Sequence, residues 1–234
     1  MDISHIKAVL FDKDGTLLDF DQTWGPATAA VIMHLTEGNA ELAGALAEAV
    51  GFVLDGGSFL SDSILLGGYT EDYAGDWAGI LDVKADAAFV SMVDGLYGRF
   101  SVDHAQALPG VVEGLDQLRS AGLPLGIATN DSEANAKAHA DAMNIADRMT
   151  LIMGYDSGHG GKPQPGMVLA FAAHLGLKPE EIAMVGDTMH DIHAARNAGA
   201  LAVGIGTGTF GSAPLEADAN LIVQSLPELS AMFG

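Results

Sequence analysis

Residues 8–18 read AVLFDKDGTLL: an apolar run, two aspartates separated by one residue, then Gly-Thr. Side chains two apart on a strand share a face. Asp12 and Asp14 are therefore expected to project together near the carboxyl end of a buried strand, with Lys13 turned away. Gly15 can take the backbone shape that ends such a strand. Two carboxylates held that close repel unless a cation lies between them. The pattern points to a divalent-metal site containing a reactive carboxylate.

Three later stretches also end apolar or turn segments in polar groups. Ile127-Ala128-Thr129-Asn130 finishes in a hydroxyl and an amide. Gly161-Lys162-Pro163-Gln164-Pro165 sets a lysine in a loop just before a helical pattern. Met184-Val185-Gly186-Asp187-Thr188, with Asp191 behind it, places a second acidic pair at a strand end.

The elements that must position these groups alternate after residue 108. Short apolar runs at 123–128, 150–153, 182–185, 201–205 and 221–223 read as strands of a parallel α/β sheet. Helices fit between them. Val111, Val112, Leu115 and Leu118 form an apolar face after Pro109-Gly110. Asp131 or Ser132 caps a helix reaching Met143, Pro165 stands near the start of one closed by Gly176, Thr188 opens one ending near Gly199, and the last follows Ser225. Residues 20–105 break this rhythm, being rich in Ala, Gly and acidic residues, with helical patterns at 23–35, 40–50, 70–81 and 85–97. Gly56-Gly57 between apolar flanks suggests a hairpin over 52–60. The expected architecture is a Rossmann-like core of residues 1–19 and 106–234, with a mainly helical cap of residues 20–105 inserted after the first strand. The hinges are expected at 19–23 and 101–108.

In this order and spacing, the four motifs resemble those of the haloacid dehalogenase-like hydrolase superfamily over residues 6–20 and 105–225. Within it the chain looks most like the phosphoglycolate phosphatase-like group. The resemblance implies that Asp12 is the nucleophile, forming an aspartyl-phosphate, and that Asp14 is the acid and base that serves the leaving group and then water. It implies Mg2+ held by Asp12, the backbone carbonyl of Asp14, Asp187 and Asp191, the last as ligand or as partner to one. Phosphoryl oxygens fall to Thr129 and to backbone amides including that of Asn130, beside Asp12, Asp14 and Gly15, and Lys162 offsets the charge. A phosphosugar mutase of the same fold and a non-catalytic phosphometabolite-binding module are the alternatives. A dehalogenase would lack the second aspartate, which is present as Asp14.

The inserted segment carries the expectation of substrate choice. Its two basic side chains, Lys84 and Arg99, are candidates for meeting a second anionic group, and helix-surface solvation is the plainer reading of both. The loop 52–63, with Phe52, Phe59, Ser61, Asp62 and Ser63, is a candidate substrate-facing surface. Asp21 and Trp24 could line an entrance, while Trp24 and Trp77 also read as packing residues. His190 and His193 flank Asp191 but read as a solvated helix face, and His159 reads as a surface-loop residue.

Bulk properties narrow the field. Of 234 residues, 49% are hydrophobic, enough for a well-buried core. Ten Lys and Arg against 31 Asp and Glu leave a net charge of −21, which repels nucleic acids and anionic lipid. The absence of cysteine excludes disulfides, thiolate catalysis and Cys-ligated zinc. No apolar run of about 18 residues suggests a membrane span, and residues 1–8 lack signal-peptide character. The expectation is a cytoplasmic monomer or homodimer acting on a small phosphorylated metabolite, with neither nucleic acid nor membrane as partner.

Overall fold

The computed structural model describes residues 3–66 and 68–234. In chain order they form β1 (Ala8–Phe11), α1 (Phe20–Leu35), α2 (Ala40–Ala49), β2 (Phe52–Val53), β3 (Ser58–Phe59), α3 (Thr70–Ile80), α4 (Ala87–Asp103), α5 (Val111–Ser120), β4 (Leu125–Ala128) and α6 (Glu133–Ala142). There follow β5 (Met149–Met153), α7 (Gly166–Leu175), β6 (Ile182–Gly186), α8 (Met189–Ala198), β7 (Leu201–Ile205), β8 (Leu221–Val223) and α9 (Leu226–Ala231). The chain divides into two compact units. One runs up to Phe20 and resumes at Gln106, and the other is Asp21–Ala105.

The first unit is a Rossmann-like α/β fold. Its six strands lie in the order β5-β4-β1-β6-β7-β8, and every neighbouring pair is parallel. All four residues of β1 are buried, as a central strand covered on both faces requires. Leu10 belongs to one buried cluster with Met153, Phe171, Met184 and Ile192. From β1 the chain moves outward through β4 and β5, then restarts on the other side of β1 through β6, β7 and β8. A doubly wound sheet opens a crevice at that reversal, beyond the carboxyl ends of its strands. The polar motifs all fall there: Asp12 and Asp14 after β1, Thr129 and Asn130 after β4, Lys162 between β5 and α7, and Asp187 after β6.

Caps mark the helices at the expected residues. Ser132 accepts from the Asn135 N–H at 3.2 Å to start α6. Gly176 and Gly199 end α7 and α8 with left-handed φ of 67° and 80°. β4 starts at Leu125, two residues later than the apolar run suggests. The Leu123 N–H is spent on the Leu118 carbonyl at the end of α5, and Pro124 has no N–H to offer a strand.

The second unit packs α1–α4 with the small β2–β3 hairpin around Trp77. This ring is fully buried, donates Nε1–H to the Leu46 carbonyl at 3.0 Å, and meets Tyr73 edge-on with centroids 4.9 Å apart. Three details differ from the sequence expectation. α4 continues to Asp103, past Gly98, because Phe100 packs on the unit's core and Ser101 is fully buried, so packing overrides glycine's weak helix propensity. α1 starts at Phe20, and a short antiparallel contact joins the two connections, with Asp19 N–H on the Gln106 carbonyl at 2.8 Å and Leu108 N–H on that of Leu17 at 2.9 Å. In the loop 52–63, Phe52 and Phe59 face the unit's own core, and the buried Ser63 hydroxyl donates to the Val50 carbonyl at 2.6 Å. These three serve packing, while Ser61 and Asp62 remain exposed.

Among the described residues, no helix is long and apolar enough to cross a membrane. Truncating Trp77 to Ala removes a large buried ring and leaves the Leu46 carbonyl without its donor. Urea unfolding followed by circular dichroism should show a loss of about 3–5 kcal/mol, and a loss under about 1 kcal/mol would show that the ring is not central to the helical unit.

Candidate active site

Asp12 follows β1, and its N–H donates to the Val185 carbonyl of β6 at 2.8 Å, so both central strands fix its backbone. Its carboxylate is buried and takes a charge-assisted hydrogen bond from Lys162 Nζ to Oδ1. The same ammonium lies 2.6 Å from Oδ1 of Asp191. Asp191 is 1% exposed, and its Oδ2 accepts from the N–H and hydroxyl of Thr188 at 3.0 and 2.7 Å, capping α8. Its Oδ1 has the ion pair with Lys162 but no aligned hydrogen bond. Asp187 completes the group: carboxylate oxygens of Asp12, Asp187 and Asp191 lie within 4.8 Å of one another.

Three carboxyl groups share one ammonium in a buried cluster. Burial lifts the Asp12 carboxyl to about 7, held down by Lys162 and pushed up by Asp191 and Asp14. Burial, then Asp12 and Asp191, lifts Asp187 to about 9. Burial works against the Lys162 charge, but Asp12 and Asp191 outweigh it and keep that group above its usual range. An all-oxygen donor set of three clustered carboxyls, two of them holding protons that a cation would displace, fits a hard divalent cation. The space around the set is kept by glycine. A Cβ at Gly15, where φ is +76°, or at Gly208 would collide with the Asp187 carboxylate.

The Lys162 loop is held in register from β4. Asn130 brackets the Lys162 backbone, its Oδ1 accepting from the Lys162 N–H at 2.7 Å and its Nδ2 donating to the Lys162 carbonyl at 3.0 Å. His190 Nδ1 lies 3.3 Å from that same carbonyl. Thr129 is 1% exposed, and its Oγ1 accepts from the Asp131 N–H at 3.1 Å, leaving its own proton to be given elsewhere.

A family model described as haloacid dehalogenase-like hydrolase matches residues 6–199. The chain belongs to the haloacid dehalogenase-like hydrolase family. It is 35% identical over 229 residues to a phosphoglycolate phosphatase of Chromobacterium violaceum, covering 98% of this chain and 97% of the relative. It is 33% identical over 238 residues to a phosphoglycolate phosphatase of Neisseria meningitidis, covering 97% and 93%. Among solved structures, a Haemophilus somnus protein described as a predicted phosphoglycolate phosphatase superposes with a TM-score of 0.72 at 19% identity, covering all of both chains.

The structure of this haloacid dehalogenase-like hydrolase corrects one expectation at its motif. Lys13 is not turned away from its neighbours. Its side chain is wholly buried, and Nζ lies 2.9 and 2.8 Å from Oδ1 and Oδ2 of Asp14. β1 ends at Phe11, so strand alternation no longer governs residue 13. The N–H groups of Leu17 and Leu18 both reach the Lys13 carbonyl at 2.9 Å, and the chain there is a turn. Asp131 and His139, which motif spacing did not single out, surround the same ammonium. Burial, then the Lys13 charge, pushes the His139 imidazole down to about 3, so it is neutral. The 3.8 Å separation of His139 Nδ1 from Asp131 is therefore not an ion pair. No signal local to residues 10–16 reveals either partner.

His159 and His193 are exposed. Within the helical unit, Lys84 pairs with Asp86 at 3.0 Å, and Arg99 is exposed with its guanidinium 5.3 Å from the Phe100 ring.

The raised carboxyls make stability depend on pH with a definite sign. Asp12 and Asp187 keep protons in the folded state that an unfolded chain releases near 3.8, so their contribution is full below that value and is lost as pH rises through about 7 and 9. A bound divalent cation offsets the loss. With magnesium chloride as the probe, the rise in Tm should be larger at about pH 8.5 than at about pH 6, and Asp187→Asn should remove most of the difference. Equal shifts at both pH values would contradict the assignment.

Proposed function

We propose that this phosphoric monoester hydrolase is magnesium-dependent and cleaves small-metabolite phosphomonoesters through an aspartyl-phosphate on Asp12. The observation that carries the reading is the buried Asp12 carboxylate at the end of β1, bonded to Lys162 and clustered with Asp187 and Asp191. Relatives named phosphoglycolate phosphatase over nearly the whole chain make 2-phosphoglycolate the first substrate to test. Substrate choice is assigned to the helical unit, Asp21–Ala105, as its cap, and the setting is cytoplasmic.

Mg2+ would be held by the carboxylates of Asp12 and Asp187, the Asp14 backbone carbonyl and Asp191, and would supply charge neutralisation and orientation for a phosphoryl oxygen. The Thr129 hydroxyl and the Asn130 N–H hold further phosphoryl oxygens, and Lys162 balances charge on Asp12 and the phosphoryl group. Asp12 attacks phosphorus as the bond to the alcohol oxygen breaks, and Asp14 gives its proton to that oxygen. Asp14, now a carboxylate, then takes a proton from water as the water oxygen attacks the phosphorus. The bond to Asp12 breaks, restoring its carboxylate, and inorganic phosphate leaves.

Phosphate release from 2-phosphoglycolate, a hexose phosphate and p-nitrophenyl phosphate, with Mg2+ and with EDTA, tests this. EDTA should abolish turnover, and Asp12→Asn should lower kcat by about 10³-fold or more with the fold intact by circular dichroism. Parental turnover by Asp12→Asn would remove Asp12 as nucleophile. Isomerisation of the hexose phosphate without phosphate release would identify a mutase instead.

A further inference from the structure

Lys13 takes no part in the reaction just described, yet it is among the largest fully buried side chains of the molecule. An ammonium in that position is costly unless it is paired and hydrogen-bonded. Its three N–H donors meet three acceptor groups: Asp14 through both oxygens, Asp131 Oδ2 at 3.1 Å and His139 Nδ1 at 2.9 Å. An ammonium can only donate, so His139 accepts at Nδ1 and carries its proton on Nε2.

The far side of this network is rigid. Asp131 Oδ1 accepts from the Ser132 N–H at 2.7 Å, and its Oδ2 also accepts from Asn135 Nδ2 at 2.8 Å. His139 is wholly buried on α6. The near side is a turn residue, Asp14, whose side chain is 24% exposed. Lys13 thus ties a partly open carboxyl to the start of α6. With both of its oxygens against one anchored ammonium, the Asp14 carboxyl has a fixed direction on its turn.

We infer that Lys13 is a positioning residue, which Asp131 and His139 hold so that its ammonium fixes the Asp14 carboxyl for proton transfer to the leaving oxygen. This rests on the proposed role of Asp14, and the test separates the two. A p-nitrophenolate group leaves without a proton, whereas an alkoxide does not. With Mg2+ present, Lys13→Met should lower kcat/KM for 2-phosphoglycolate by about 10²-fold while that for p-nitrophenyl phosphate stays within about threefold. In the Asp14→Asn background, Lys13→Met should leave the ratio of the two substrates unchanged. His139→Leu keeps the ammonium and removes one of its anchors. It should shift the same ratio in the same direction by less, and it carries the test if melting shows Lys13→Met unfolded. Equal losses on both substrates, or a ratio change that persists with Asp14→Asn, would overturn the inference. An active Asp12→Asn enzyme would instead overturn the reaction on which it rests.

Discussion

The Lys162 ammonium, buried between Asp12 and Asp191, is the contact on which the site depends. Burying a carboxylate costs several kcal/mol unless an opposite charge and hydrogen bonds replace water. Three carboxylates are buried together here, so their placement is a demand on the whole α/β unit. β1 and β6 deliver Asp12 and Asp187 at the sheet's reversal point. α8 delivers Asp191, whose second oxygen is consumed in capping that helix. Asn130, from the end of β4, holds the Lys162 backbone on both sides. Every element of the crevice is thus used to bring one positive charge to the cluster, where three acidic groups still face it.

That excess bears on how an anionic ester is received. The chain's net charge of −21 opposes a phosphate dianion at long range, and the aspartate cluster opposes it at short range. Lys162 alone does not reverse the local sign. Under the proposed reaction a divalent cation would displace the protons of Asp12 and Asp187 and offset the carboxylate charge, so cation binding would favour ester binding.

The sheet was legible because its strands are short apolar runs between Gly, Pro and capping residues, and buried parallel strands leave that signature. The acidic motif was legible for a similar local reason, since strand ends convert spacing into proximity. The helical unit was less so. Its Ala- and Gly-rich helices show weak periodicity, and packing rather than propensity sets where α4 ends. The aromatic residues of the 52–63 loop resembled a surface because nothing in their spacing shows that Phe52 and Phe59 meet at 5.2 Å within the unit's core. Asn130 was expected to offer its backbone amide to a phosphoryl oxygen, and no local spacing marked its side chain as the clamp on a backbone 32 residues away.

Lys13 shows the limit most clearly. Alternation assigns it to the face opposite Asp12 and Asp14, and that rule fails once the strand stops at Phe11. Its partner His139 lies 126 residues further on, so sequence distance carries no hint of the contact. Energetically, an apolar side chain of similar volume could fill the same space without the cost of burying a charge. Such a residue would take the ammonium away from Asp14 on its turn and leave Asp131 to its Ser132 and Asn135 donors beside α6. Lys13 supplies both with one group, just as Lys162 supplies Asp12 and Asp191. The two aspartates of the motif, one residue apart in the chain and alike in chemistry, therefore stand in separate electrostatic settings. Asp12 sits within a cluster that calls for a metal, and Asp14 sits beside an ammonium already in contact with its carboxylate. Under the proposed reaction the two settings would divide the work, with attack on phosphorus at Asp12 and proton transfer at Asp14.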